Sequence, residues 1–480
     1  MSSFTLSTSL NKNKVFLLQK SEVEKRLDPF YYVPILVELE RKVLAKHPKK
    51  LRDYVVSLSS GATPKTTESE KYYTEKENGI PFLRVQNLSP TGVLEFEDCK
   101  YINKETHEGY LKRSQVFEND LLIKITGVGR MAVASIAPEN FEGNINQHIV
   151  VIRTKDKQTS ETLAAFLNSD IGEKLASRRS TGGTRPALDY PALLSIPIIN
   201  DPRVLKITNK VVEQKKQNEA QAEKLLASID DYLLKELGIT LPTPPENILK
   251  NRMFKTTIKE ISGNRFDPRY YQNYFIQFYK NLNEKYPTKK LKEIAEYIGS
   301  GSTPTAGGDA YTDEANGVPF IRITNLKNDT IDLTDVLFIK REIHEISLKR
   351  TQLKAGELLL SMAGTIGLTV IVPDFIREAN INQALARIIL KNGYENVFVK
   401  EILNSKIGKT QTDRLSRPAV QANINFDEIG SLLIPIPSLA KQKEIAEHIS
   451  AIRKEAQQLK EKTKEELKKA SEEIEKILLH

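Results

Sequence analysis

Asn78-Gly-Ile-Pro-Phe-Leu-Arg-Val-Gln-Asn-Leu88 reads as a turn running into an apolar strand. Asn316-Gly-Val-Pro-Phe-Ile-Arg-Ile-Thr-Asn-Leu326 repeats it 238 positions later. Seven of the eleven positions are identical, and most of the others exchange Ile, Val and Leu. The match extends outward on both sides. Arg26-Leu-Asp-Pro-Phe-Tyr-Tyr32 returns as Arg265-Phe-Asp-Pro-Arg-Tyr-Tyr271, and Ser60-Gly-Ala-Thr-Pro64 as Ser300-Gly-Ser-Thr-Pro304. Asp120-Leu-Leu-Ile123 returns as Glu357-Leu-Leu-Leu360, with a glycine turn after each at Gly127 and Gly364. Asn144-Ile-Asn-Gln147 returns as Asn380-Ile-Asn-Gln383, and Leu167-Asn-Ser-Asp-Ile-Gly172 as Leu403-Asn-Ser-Lys-Ile-Gly408. The offset stays between 236 and 240 in a chain of 480 residues, so one period fills half the chain. That is a tandem pair of domains and not a solenoid of short repeats.

Each copy closes in the same way. Ser195-Ile-Pro-Ile-Ile199 and Leu433-Ile-Pro-Ile-Pro437 are short strand-like runs, and a long helical pattern follows each. Ile207, Val211, Leu225, Ile229 and Leu233 share one stripe of the first helix. Ile445, Ile449, Ile452, Ala456, Leu459, Leu467, Ala470, Ile474 and Ile477 share one stripe of the second. A narrow seam over about 35 residues predicts a coiled coil, in which the economical partner of each helix is the other. Gly238 stops the first helix, and Leu241-Pro-Thr-Pro-Pro245 makes a stiff linker. The domain bodies carry strand signals at Phe82–Val85, Leu121–Ile125 and His148–Arg153 and at their counterparts, with short helices such as Glu161–Ser169. The expected fold class is therefore mixed α+β: two similar tandem domains, separated and joined by two long antiparallel coiled-coil helices, with pseudo-two-fold symmetry. The expected spans are 1–200 for the first domain, 201–238 for the central helix and 239–255 for the linker. The second domain takes 256–437 and the C-terminal helix 438–480.

A formal charge of +9 and a pI near 9.1 are compatible with a polyanionic partner. The two helical stretches hold 17 Lys and Arg against 15 Asp and Glu, so most of the excess lies elsewhere. Thirty-nine per cent hydrophobic residues and a mean hydropathy of −0.39 fit a globular protein with no signal peptide or bilayer-spanning run. A single cysteine, Cys99, excludes an internal disulfide and suits a reducing cytoplasm. Six scattered histidines give no zinc-ligand spacing.

No catalytic motif emerges. Asp28-Pro-Phe-Tyr31 and Asp267-Pro-Arg-Tyr270 superficially resemble the amine-gripping motif of amino-methyltransferases. Both lack its second proline, and 27 residues upstream of Asp28 leave no room for a methyl-donor domain. A structural turn with packed aromatics is the better reading. Gly127-Val-Gly129 and Gly364-Thr-Ile-Gly367 are tight turns with neither a dinucleotide fingerprint nor a following Gly-Lys-Ser/Thr. No GxSxG sequence or histidine-centred triad is present, so the chain is expected not to be an enzyme.

Two similar domains held apart by a helix pair suit a duplex, which shares their pseudo-two-fold symmetry. A 35-residue helix is about 52 Å long, an upper limit of about 15 base pairs on the separation of the reading centres. The paired Ser-Gly-x-Thr-Pro turns, the Asn-Gly-Ile/Val-Pro-Phe strands, and the Ile434-Pro-Ile-Pro437 run into Ser438-Leu-Ala-Lys-Gln-Lys-Glu-Ile445 carry a family likeness. Over nearly its whole length the chain resembles the specificity subunit of a Type I restriction-modification system. The resemblance implies two target-recognition domains reading a bipartite, asymmetric DNA sequence, and positioning of methyltransferase subunits for adenine methylation. The implied partners are double-stranded DNA, two methyltransferase subunits, and motor-nuclease subunits in the full complex. No cofactor is implied on this chain; S-adenosylmethionine belongs to the methyltransferase. Lys441 stands where the family usually has Glu, and the first copy has Asp201-Pro-Arg-Val-Leu205 in place of the Pro-x-Leu-x-x-Gln helix start.

DNA contact is expected from Lys and Arg on phosphates and from Arg, Lys, Asn and Gln on base edges. In the first copy the candidates are Arg178, Arg179, Thr181 and Arg185 on a glycine-containing loop, Lys65, Lys71 and Tyr72 after Pro64, and Arg130 after the Gly127 turn. In the second they are Arg414, Arg417, Gln421 and Asn423. Arg84 and Arg322 occupy the same place in both copies, as common phosphate clamps or as partners of a shared internal carboxylate. Two other readings stand beside this one. One is the recognition subunit of a two-subunit enzyme whose partner both methylates and cleaves; the other is a coiled-coil scaffold binding proteins, which would lack steep salt-dependent DNA binding.

Overall fold

In each repeat the acid-Leu-Leu strand is buried on both faces. Leu121 and Ile123 point into one apolar cluster with Val150 and Ile152, while Leu122 points into another with Val151 and Ile149. The second repeat copies this, with Leu358, Leu360 and Ile388 on one side and Leu359 and Leu385 on the other. A strand alternates its side chains between faces, so a continuous apolar run means that both faces are covered. Helices cover one face and a second small sheet covers the other.

The structure is a computed structural model describing residues 10–480 except 25, 247, 249–252, 254, 256, 258–260, 262–266, 305–308, 328 and 417–422. Part of the expected linker (247, 249–252 and 254), the Arg265-Phe266 start of the second Arg-x-Asp-Pro motif, Arg417 and Gln421 lie outside the described residues. The chain divides into two compact units, residues 1–219 with 460–480, and residues 220–459. The divisions therefore fall inside the long helices.

In the first unit, Ser57–Ser60, Ile149–Arg153, Leu121–Lys124 and Ala134–Ile136 lie side by side in an antiparallel sheet. Lys100–Ile102, Ile80–Leu83, Glu142–Ile145 and Gln115–Phe117 form the second sheet, in which Ile80–Leu83 and Glu142–Ile145 run parallel. In the second unit the first sheet is Ala295–Ser300, Leu385–Leu390, Leu358–Ser361 and Thr369–Ile371. The second is Tyr311–Thr312, Leu337–Lys340, Gly317–Ile321 and Asn380–Ile381, again with one parallel pair. The repeat seen in the sequence is thus a repeat of topology. The strand expected over Phe82–Val85 ends at Leu83. There the amide oxygen of Asn87 accepts the Arg84 backbone N–H at 2.8 Å and turns the chain into a 3-10 helix. The helix expected from Glu161 begins at Lys157, capped by Asp156, whose carboxylate accepts the Thr159 N–H at 2.7 Å.

Each repeated motif has a local task. Asn144 and Asn380 are fully buried; their amides donate to Leu111 O and Leu348 O at 2.8 Å, and their oxygens accept from His107 and His344. Asn168 and Asn404 bind both backbone groups of the edge strand, at Ala134 and Thr369, through four bonds of 2.7–2.9 Å. Gln147 accepts from Thr63, and Gln383 from Thr303. A Cβ on Gly61 or Gly301 would strike the backbone carbonyl of Ile145 or Ile381, so only glycine lets this turn close on the Asn-x-Asn-Gln segment. Asp120 and Glu357 pair with Arg153 and Arg387 of the adjacent strand.

The long helices span Pro202–Leu237 and Leu439–Leu479. In the first unit Asn218 meets Thr463, while Ile207 and Ile477 line one groove. In the second, Glu236 meets Lys441 and the Tyr232 ring lies 4.1 Å from His448. Rising numbers meet falling ones, so the helices pair antiparallel within each unit. The buried stripe of the first helix runs Val204, Asn218, Ala222, Ile229, Leu233 and Leu237. It therefore passes through Asn218, a polar residue one heptad from both Val211 and Leu225. This amide donates to Thr463 Oγ1 at 3.0 Å, a polar pair in the seam that favours one register over its neighbours. Gln442 is buried at the start of the second helix, donating to Pro437 O and accepting the Glu395 N–H. Lys441 reaches Glu236 across the pair.

Candidate nucleic-acid interface

In the first repeat, strands Ser57–Ser60, Ile80–Leu83, Leu121–Lys124 and Glu142–Ile145 all end toward one cluster of loops. The Ser60–Pro64 turn is held to Gln147 through Thr63. Gln147 adjoins His148, whose Nε2 accepts a hydrogen bond from Arg185 Nη2 at 3.1 Å. The Gly127 turn joins the same cluster, because Gly127 N donates to Pro186 O at 3.0 Å and Thr126 bridges to Ala187. Residues 181–185 are exposed, as are Lys65 and Lys71. Lys71 lies over the Tyr72 ring at 5.2 Å, and Tyr72 faces Tyr110. Burial, and then the neighbouring Arg185 charge, push the His148 imidazole below its ordinary pKa. It is thus neutral near pH 7 and able to accept from the guanidinium.

Thr181 and Arg185 remain on this surface, but the two arginines expected beside them turn inward. Arg178 and Arg179 end the helix Asp170–Arg179, are buried, and together bind the carboxylate of Glu40. Arg178 also donates through Nε to Tyr31 O at 2.8 Å and stacks on the Tyr31 ring at 4.0 Å. Arg414 does the same in the second repeat, donating to Tyr270 O at 2.9 Å and lying 4.0 Å and 4.6 Å from the Tyr270 and Tyr279 rings. The Asp-Pro-x-Tyr-Tyr turns are therefore the sockets of these arginines. Planar guanidinium, carbonyl and ring fit together there, which spacing along the chain did not reveal.

Arg130 is also held, with Asp170 at 2.9 Å and Asn168 O at 2.7 Å. Arg130 in turn holds the Asp170 carboxyl below the usual carboxylate range. Arg84 and Arg322 donate to the backbone carbonyls of Asp98 and Asp335, at 2.7 and 3.2 Å; of the two readings left open, the internal partner is main chain and not a carboxylate. In the second repeat Asn423 bridges to Ala363 beside the Gly364 turn, as Ala187 does to Thr126 in the first. Sequence reasoning missed Thr63, Gln147, Val128 and His148. The doubled Asn-Ile-Asn-Gln motif was the available signal for Gln147, but its contact with the distant turn depends on folding. Among the described residues no group of three or more His, Cys, Asp or Glu side chains is placed to hold a metal ion, and no helix is long and apolar enough to cross a membrane.

The family pattern described as Type I restriction modification DNA specificity domain matches residues 283–469. The specificity subunit of the Type I restriction enzyme EcoBI from Escherichia coli is 21% identical over 431 residues, covering 85% of this chain and 80% of that one. Residues 283–469 thus match a Type I DNA specificity domain, and the chain is similar to Type I specificity subunits over most of its length. The specificity subunit of the Type I restriction enzyme MjaVIII from Methanocaldococcus jannaschii is 24% identical over 418 residues, covering 84% of this chain and 86% of its own. Among solved structures, the Type I restriction-modification S subunit from M. genitalium is 13% identical, covers 90% of this chain and 94% of its own, and has a TM-score of 0.40. The pattern falls on the second repeat and most of the C-terminal helix, and the first repeat reproduces the order of its first sheet and of three strands of its second.

Proposed function

We propose that this specificity subunit reads a bipartite, asymmetric DNA target, one half-site per repeat, and positions two methyltransferase subunits for adenine methylation. Motor-nuclease subunits join in the full complex. The chain itself carries no catalytic group in this reading; S-adenosylmethionine is bound by the methyltransferase. One observation carries it: the residues shared by the repeats are mostly engaged inside each fold, whereas the exposed loops around Thr63, His148 and Arg185 differ from those around Thr303, Ala384 and Asn423. A duplicated scaffold with unlike loops suits a target with unlike halves.

The contacts proposed are Lys65, Lys71, Tyr72, Thr181 and Arg185 in the first repeat and Arg417, Gln421 and Asn423 in the second. Arg84, Arg130, Arg178, Arg179, Arg322 and Arg414 support the loops from within. The test is a genome-wide methylation map of cells expressing the chain with its methyltransferase. A new methylated motif with two unlike halves around a fixed spacer is expected. No chain-dependent methylation, while that methyltransferase works with another specificity subunit, would overturn the reading.

A further inference from the structure

Val128 is 78% exposed at the tip of a tight turn between Gly127 (φ 123°) and Gly129 (φ 83°). A single exposed valine is ordinary; the way this one is held is not. The ammonium of Lys124, itself buried, donates to the Val128 carbonyl at 2.7 Å. Burying an ammonium is costly, and here the charge is used to fix the tip of a loop. The same turn is tied to the 181–187 loop by Gly127 N to Pro186 O, and Thr181 and Ala187 exchange two backbone bonds of 2.7–2.8 Å. Arg185 on that loop is steered by His148, whose own carbonyl accepts Ile125 N at 2.9 Å just before the turn. An apolar tip and a guanidinium thus share one stiff ledge. Only one guanidinium donor is used by His148, which leaves others for a ligand.

On the major-groove edges of DNA the thymine methyl is the apolar feature, and guanine O6 and N7 match the guanidinium fork. Resting on the function proposed above, we propose that the first repeat reads a guanine next to a thymine through the major groove, Arg185 on the guanine and Val128 on the thymine methyl. The second repeat has Thr365 at the tip position and Ala384 at the His148 position, so this pairing belongs to one half-site only.

The test uses the assembled methyltransferase complex and a duplex carrying the methylated motif. Within the first repeat's half-site, each guanine is replaced singly by 7-deazaguanine and each thymine by uracil. One 7-deazaguanine is expected to weaken binding about tenfold, and uracil at the neighbouring thymine roughly fourfold. Arg185→Ala should abolish the sensitivity to 7-deazaguanine and Val128→Gly the sensitivity to uracil. Both variants should leave discrimination at the other half-site intact, which shows that they are folded. Normal methylation of a motif whose first half lacks a G–T neighbour, or tolerates both replacements, overturns this inference alone. Sensitivity to inosine in place of 7-deazaguanine also overturns it, because inosine removes a minor-groove group. Absence of any methylated motif sinks the broader reading with it.

Discussion

The two repeats fasten their first helix to the fold with the same arginine and with opposite chemistry. In the first, Glu40 lies between Arg178 and Arg179, all three buried. In the second, Tyr279 stands at the position of Glu40 and Leu415 at that of Arg179, and Arg414 lies against two tyrosine rings. What stays constant is the Nε bond to the tyrosine carbonyl of the Asp-Pro-x-Tyr-Tyr turn and the stacking on that tyrosine's ring. What varies is the group that meets the rest of the cation. A buried ion cluster is all or nothing, because removing one member strands the others. An aromatic socket loses stability by degrees.

The largest effect should follow from Glu40→Ala, which leaves two buried guanidinium groups without their anion and costs about 3–5 kcal/mol. Urea unfolding of the full chain measures this; a loss below about 1 kcal/mol would mean that the cluster is not what fastens the helix. Glu40→Tyr combined with Arg179→Leu rebuilds the second repeat's chemistry in the first and should recover most of the loss.

The shared latch sharpens the comparison from the other side. Asn144→Ala and Asn380→Ala each orphan a buried carbonyl and an imidazole, and each should cost about 1–3 kcal/mol. Nearly equal costs are expected from their matching bonds. Costs differing severalfold would break the equivalence. Arg414→Ala should cost about 1–2 kcal/mol, less than Glu40→Ala, because no charge is stranded.

The smallest effect concerns acid. Arg130, and then Ser471, depress the Asp170 carboxyl against the opposing pull of burial. The folded chain then binds this proton less readily than the unfolded chain does. The stability from this pair is therefore present above the unfolded pKa, near ~3.9, and is lost as pH falls through the lower folded value. Lys406 occupies the Asp170 position in the second repeat and instead donates its N–H to Asp230 at 2.7 Å. Arg130→Met should flatten the fall in Tm between about pH 5 and pH 3. An unchanged slope would show that the pair does not contribute there.

Periodicity and self-similarity made the duplication, the two long helices and several of the strands legible, because burial imposes a spacing that can be read along the chain. Turn chemistry was legible at Gly238, whose φ of 64° ends the central helix. The roles of the arginines were not. Arg178 and Arg185 are seven positions apart and chemically alike, yet one is buried against Glu40 and Tyr31 and the other is exposed beside His148. Their partners lie 37 to 147 residues away, so no local pattern distinguishes them. Asn218 is a similar case: a polar residue in a helical stripe looks solvated until the opposing helix brings Thr463 to it. The sequence by itself determined the repeat and its elements, since these depend on spacing and local conformation. The tertiary structure alone decided which cations hold the scaffold and which face outward, because a guanidinium takes its role from whatever distant carboxylate, ring or carbonyl the fold sets beside it.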